Sequence, residues 1–347
     1  MNRLRALSEL FGFELSSKVA WSCIDTGFSC RDAGYPLVQA YDDPEKGLAL
    51  RLLAEERYHM LPLPQIIRHT LLGAHDFGGD VRLPSGPYDQ AMKVVSHPVQ
   101  DESQAWELQL PDPKTAGGIN TAMRFSKLQY RLGLPVWFHH RSPFTMAVNI
   151  CGMERFGRWM HRKPDVCRHL IRMATQHVFN VLDDWVNTFG TAAIAVYNSS
   201  PMESNQMISP LHFQQLALPA HIDYIERLNQ LGIKRYFFHI CGDQLRNMPH
   251  LAGIARWHHP AIISIGHEIP LDRAAAFFPH DVIYGNIDPR ILYSGSPDEV
   301  AKTCHEVLEK GTHITAGHIL APGCDMPLST PSENIDAIVR TVANYHA

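Results

Sequence analysis

The sequence predicts an α/β fold, a (β/α)8 barrel with N-terminal helical embellishment, and three observations predict it. From residue 135 onward, short β-rich runs alternate with helix-like stretches, which implies parallel strands joined by right-handed crossovers. The chain has 347 residues, a length that suits one such barrel. No G-x-G-x-x-G turn or Walker loop is present, and such a turn usually marks the open, doubly wound alternative.

The β-rich runs are 135–139, 192–197, 235–240, 261–265, 281–284 and 312–319. The helix-like stretches between and after them are 155–188, 210–231, 244–255, 271–278 and 297–310. The stretch from Asp298 to Gly311 has acidic residues early and glycine at its close, as a helix prefers. A last helix is expected after Thr330-Pro331, with the proline near its first turn and Glu333 early. Residues 1–130 read as irregular, with a helical patch at 47–59 and a Gly/Pro-rich stretch at 78–87. No repeat, linker or charged tail divides the chain, so a single domain over 1–347 is expected.

Lys and Arg number 31 against 35 Asp and Glu, and a net charge of −4 offers no electrostatic case for nucleic acid. No apolar run approaches the roughly 18 residues of a membrane span. The first 17 residues carry Glu9 and Glu14 where a signal peptide would be apolar; they read as an amphipathic helix, so a cytoplasmic protein is expected. Seven cysteines form an odd, sparse set and no disulfide framework.

A barrel carries its site at the C-terminal ends of its strands, so the residues after each run carry the chemistry. One run ends in His239-Ile240-Cys241-Gly242, the next leads to His267-Glu268, the next to Asn286-Ile287-Asp288-Pro289, and the last to Pro322-Gly323-Cys324-Asp325. His239 and Cys241, two apart on an extended strand end, share a face. Cys324 can join them from a neighbouring strand end. One imidazole and two thiolates suit zinc and leave a fourth position open, for which Glu268 is the candidate ligand or exchangeable gate. The competing reading is an incidental H-x-C, with cysteines serving as small buried hydrophobes. Cys23, Cys30, Cys151, Cys167 and Cys304 lack such a setting and read as core. Gly242 and Gly323 read as tight backbone turns beside the ligands.

Several segments together resemble the uroporphyrinogen decarboxylase superfamily, from about Ala40 to the C-terminus. They are Ser142-Pro143-Phe144-Thr145, Ser209-Pro210, Phe238-His239-Ile240-Cys241-Gly242, Gly285-Asn286-Ile287-Asp288-Pro289, Pro322-Gly323-Cys324-Asp325-Met326-Pro327 and Thr330-Pro331-Ser332-Glu333-Asn334-Ile335. The resemblance implies a (β/α)8 barrel and offers two chemistries. The decarboxylases need no metal and hold tetrapyrrole carboxylates with an N-terminal segment like R-Q-A-G-R-Y. This chain has Arg31-Asp32-Ala33-Gly34-Tyr35, without the second arginine. The cobalamin-dependent methyltransferases bind zinc through H-x-C plus a distant cysteine, a pattern that maps onto His239, Cys241 and Cys324.

The methyltransferase branch implies a separate corrinoid protein as partner, because no cobalamin-binding D-x-H-x-x-G sequence occurs here. The main expectation is zinc-dependent O-demethylation: a methyl group passes from a methyl ether, aromatic in kind, to cob(I)alamin on that partner. The loop 197–205 carries no Arg or Lys cluster that would hold a sulfonate, which favours this direction. Tyr197, Asn198, Met202 and His139 are the expected substrate contacts, with Phe138, His140, Phe144 and Met207 as further aromatic-pocket candidates. Asn286 and Asp288 read either as substrate or corrinoid contacts or as turn residues. The alternative is transfer from a methylcorrinoid protein to a thiol such as coenzyme M. Porphyrinogen decarboxylation and a corrinoid-docking protein without catalysis are the remaining readings.

Overall fold

The computed structural model describes residues 3–13, 19–66, 71–85, 89, 91–257 and 259–345. Its centre is a parallel sheet of seven strands: β1 (Ala20–Trp21), β4 (Val136–Arg141), β5 (Ile194–Ser199), β6 (Arg235–Ile240), β7 (Ile262–Ile265), β8 (Val282–Ile287) and β9 (His318–Pro322). The intervening β2 (Val81–Arg82) and β3 (Lys93–Val94) form a separate antiparallel hairpin. The sheet order is β1-β9-β8-β7-β6-β5-β4.

The segment after the first long helix (Pro44–Arg57) closes this sheet into a barrel. Leu61 N–H donates to the Trp21 carbonyl at 2.9 Å on the β1 edge. Leu71 bridges His140 on the β4 edge, where Arg141 N–H donates to its carbonyl at 3.2 Å. Pro62 and Pro64 have no N–H to give, so this eighth stave cannot form a regular ladder. That is why the first third reads as irregular in sequence although it supplies two staves.

Alternating residues divide the interior from the helical layer. Trp137, Tyr197, Phe237, Ile262, Tyr284 and Ile319 face inward and fill the barrel in one cluster. Helix Arg3–Phe11 closes the base: Leu7 and Phe11 join that cluster, and Phe11 stacks on Trp137 with centroids 5.7 Å apart. The expected amphipathic helix is therefore a plug, while Glu14 lies outside the described residues. Residues 86–87 of the Gly/Pro-rich stretch also lie outside them. No helix among the described residues is long and apolar enough to cross a membrane.

Local chemistry sets the boundaries. Ser296 and Glu299 form a reciprocal capping box at the start of Pro297–Gly311. The expected helix 155–188 is two helices, Met153–Arg162 and Pro164–Phe189. Pro164 forces Lys163 out of helical conformation and lacks the N–H that a continuous helix would need. The run 312–319 is strand only from His318; the residues before it turn, with Gly317 at φ +115°. Residues 244–247 form a turn ahead of the short helix Met248–Ile254, and two of their side chains are used at the site.

Three buried imidazoles make the fold acid-sensitive. Burial pushes His140, His177 and His318 down to about 4. Neither ring nitrogen of His177 has a hydrogen-bond partner among the described residues. Their folded pKa values lie below the unfolded value of about 6.5, so the unfolded chain binds more protons, and stability falls as pH drops from about 6.5 to 4. We expect each to cost at most on the order of 2–3 kcal/mol at pH 4. Denaturation midpoints measured across that window should fall, and His177→Leu should flatten the slope. A slope unchanged in His177→Leu would refute its share.

Candidate metal centre

β6 presents His239 on the inward face, two residues above Phe237, and the chain reaches Cys241 one residue past the strand. Cys324 follows β9 by two residues. The barrel brings these together: His239, Cys241 and Cys324 each offer a ligand atom, all within 4.8 Å of one another. The two sulfurs are 3.8 Å apart. Two Zn–S bonds of about 2.3 Å at a tetrahedral angle span about 3.8 Å, so the pair has the separation of a tetrahedral dithiolate site.

The imidazole is oriented by a hydrogen bond from its other side. His239 Nδ1 lies 2.9 Å from Ser264 Oγ on the adjacent β7. With Nδ1–H donating to that hydroxyl, Nε2 carries the lone pair. Nε2 is buried and has no hydrogen-bond partner among the described residues. A buried acceptor without a partner is costly, and a metal ion would satisfy it. The hydrogen bond from Cys324 holds the Cys241 thiol below its ordinary range, and the Arg141 guanidinium adds to that effect.

Backbone contact locks the ligand loops to one another. Gly242 sits at φ +72°, and the chain turns there directly after Cys241. A Cβ on Gly323 would meet the His267 nitrogen at 2.5 Å, so the loop carrying Cys324 lies directly on the loop after β7. The role of Gly323 is thus close approach rather than a turn.

Gln244, absent from the sequence reading, is fully buried and braces the Cys241 loop. Its Nε2 donates to the Ser200 carbonyl at 2.9 Å and the Cys241 carbonyl at 3.2 Å. Asn247 Nδ2 donates to the Glu203 carbonyl at 2.8 Å. Glu203, in the loop expected to meet substrate, is wholly buried: Ser142 donates to its Oε1, and His221 Nε2 lies 2.6 Å from its Oε2. The Ser142-Pro143-Phe144-Thr145 motif thus anchors this buttress, with Ser142 also capping its helix.

The expected contacts separate by face. Tyr197 and His139 face the lumen, ring against ring at 4.6 Å, and Tyr197 runs nearly parallel to His239 at 6.4 Å. Asn198 has the opposite parity on β5. Its register partner His140 packs on Tyr224 of helix Leu218–Leu231, so both face the helical layer. Met202 packs against the helical cluster around Phe144 and Phe156, and Phe138 packs on Trp185, also outside the lumen. Met207 is exposed. The aromatic pocket expected from these residues is not assembled: only His139 and Tyr197 face the lumen, strand alternation sends Phe138, His140 and Asn198 outward, and Phe144, Met202 and Met207 lie beyond the strands.

Glu268, expected as the fourth ligand, stands outside the three-atom group. The turn closed by Ile269 N–H on the Gly266 carbonyl at 3.1 Å sets its Oε2 3.4 Å from His267 Nδ1. Asn286 donates its amide to the Ile269 carbonyl at 2.7 Å and so ties down this same loop. Asp288 caps the helix Pro289–Ser294 and pairs with Arg290 at 2.7 Å. Asp288 thus acts as a helix cap, whereas Asn286 sits within β8 rather than in a turn. In the segment where decarboxylases hold carboxylates, Asp32 binds Arg57 at 2.9 Å and Tyr58 Oη at 2.8 Å.

Arg141, like Gln244 and Ser264, is absent from the sequence reading. It lies on the inward face of β4, two residues beyond His139, and its Nη1 donates to Ser199 Oγ at 2.8 Å. Its position beside the Ser142 motif hid it, because strand parity becomes readable only once the register is known.

The Ser264 hydrogen bond generates a prediction. Ser264→Ala should weaken zinc binding about 10- to 100-fold by freeing the His239 ring. Competition with a chromophoric chelator measures it, and undiminished affinity would refute the orienting role.

Comparisons with known proteins agree with this architecture. A solved methyltransferase from Methanosarcina mazei superposes with a TM-score of 0.78 over 99% of both chains at 20% identity, a likeness of fold. The methylcobamide:CoM methyltransferase MtbA of Methanosarcina mazei is 25% identical over 271 residues, covering 76% of this chain and 74% of that protein. A uroporphyrinogen decarboxylase of Streptomyces coelicolor is 28% identical over 261 residues, covering 73% of this chain and 68% of that protein. The uroporphyrinogen decarboxylase (URO-D) family model matches residues 27–345, and the chain belongs to that family.

Proposed function

We propose that this protein transfers a methyl group from a methylated corrinoid, carried by a partner protein, to a small thiol. A zinc ion held by His239, Cys241 and Cys324 would serve that reaction. The observation that carries this reading is the three-donor group with its unpartnered His239 Nε2. It is joined by curated relatives of comparable length that are named methylcobamide:CoM methyltransferases. The sequence favoured methyl-ether demethylation instead. That preference rested on an aromatic pocket, whose residues divide between lumen and helical layer, and on the absence of an Arg or Lys cluster in the loop 197–205; Arg141, on β4, lies outside that loop.

A zinc ion bound there would supply positive charge that lowers the pKa of a substrate thiol and leave one coordination position open. The chain's own residues prepare that position. Ser264 holds the His239 ring, Gln244 fixes the Cys241 carbonyl, and the glycine-lined loops keep Cys324 against the β7 turn. The buried Tyr197 and His139 rings, packed edge to face, lie below the group. In the transfer a C–S bond forms and a C–Co bond breaks, with the electron pair remaining on cobalt and the thiol proton passing to solvent. Holding both reactants in line is the main contribution of such a site.

The test is incubation of zinc-loaded protein with methylcobalamin and a panel of thiols, following loss of the methyl–cobalt absorbance. Cob(I)alamin with anisole-type ethers and methanol forms the reverse arm, and a porphyrinogen tests decarboxylation. Demethylation of methylcobalamin by thiol is expected; turnover in another arm alone would overturn the reading. We also expect about one zinc per chain, with Cys324→Ala losing at least about a hundredfold in zinc affinity. Full zinc after dialysis of a folded Cys324→Ala protein would refute the ligand assignment.

A further inference from the structure

The barrel's upper inward layer can be read directly from strand register. Arg141 pairs with Ser199, Ser199 with His239, and His239 with Ser264, across β4, β5, β6 and β7. Register partners in parallel strands point to the same side, and the layers beneath hold Trp137, Tyr197, Phe237 and Ile262 of the barrel interior. The Arg141 guanidinium, half-buried at the mouth, therefore shares a level with the His239 imidazole. Its Nη1 rests on Ser199 Oγ at 2.8 Å, which draws the charge toward β5, one strand spacing of about 5 Å from β6. One inward layer lower on β5, the Tyr197 ring lies nearly parallel to His239 at 6.4 Å.

We propose that Arg141 is the anion anchor of the acceptor site, binding the terminal sulfonate or carboxylate of a short-chain thiol whose sulfur lies at His239, Cys241 and Cys324. The inference rests on the thiol-transfer reading and adds its specificity-determining residue. The guanidinium fork offers parallel N–H donors that match the oxygens of a sulfonate or carboxylate. The single strand spacing sets the reach: a spacer of two or three carbons fits, and it would lie on the Tyr197 face. Two further arginines are held elsewhere. Arg51 is fully buried between Asp25 at 3.0 Å and Glu55 at 2.8 Å, and Arg290 pairs with Asp288 at the rim.

The test measures binding by calorimetry on zinc-loaded protein, so it does not depend on turnover. The probes are 2-mercaptoethanesulfonate, 3-mercaptopropionate and the neutral 2-mercaptoethanol. The wild-type protein should bind the anionic thiols about 10- to 100-fold more tightly than the neutral one. Arg141→Leu should erase that preference while its 2-mercaptoethanol affinity stays within about twofold, and Arg141→Lys should restore part of it. The ratio of the two anionic thiols identifies the preferred headgroup. Equal wild-type binding of all three, or a preference that survives in a folded, zinc-loaded Arg141→Leu, overturns the proposal. Failure of every thiol to accept a methyl group would instead overturn the transfer reading, and the binding ratio would still decide the role of Arg141.

Discussion

Strand register is the constraint on which the rest of the site depends. His239 faces the lumen because β6 pairs Ser199 of β5 with His239, and His239 with Ser264 of β7. A slip of one residue would turn His239 into the helical layer and bring Phe238 to the centre. The same register fixes Ser264 beside Nδ1 and Arg141 at the same height. Filled inward layers below, from Trp137 to Ile319, make such a slip costly, because every large inward side chain would change face with it.

The ligand loops are anchored by apolar residues such as Ile269 and Met326 and are further fixed by polar and backbone contacts. Gln244, Asn247, Glu203, His221 and Ser142 form a buried chain of hydrogen bonds behind the Cys241 loop. Buried polar groups of this kind stabilise only when each finds its partner, so the chain specifies one loop conformation rather than merely filling space. On the other side of the barrel, Arg51, Asp25, Glu55 and Gln65 form a second buried polar group beside the eighth stave. That stave contains two prolines and cannot rely on a full ladder, so side-chain anchoring takes part of the role.

Face assignment separates the expected substrate contacts. Of the residues that looked like an aromatic pocket, His139 and Tyr197 line the lumen, while Phe138, His140, Asn198 and Phe144 support helices. The charge beside the lumen rings comes from Arg141 rather than from the loop after β5. A cation and a cluster of soft donors are the features on which the proposed thiol transfer rests.

By itself the sequence determined the class of fold, five of the barrel strands to within a few residues and part of a sixth, the stretches of the last two long helices, and the grouping of His239, Cys241 and Cys324. Alternating hydrophobic runs and the H-x-C pattern are local signals, readable without knowing what lies opposite. Only the tertiary structure decided the two staves in the first third, because their pairing is long-range and interrupted by proline. It also decided that Glu268 turns to His267, that Asn198 faces outward, and that Gln244, Ser264 and Arg141 belong to the site. Each of these depends on which face a side chain takes or which loop lies against it. Such relations arise from register between distant segments, and no single stretch of the chain contains them.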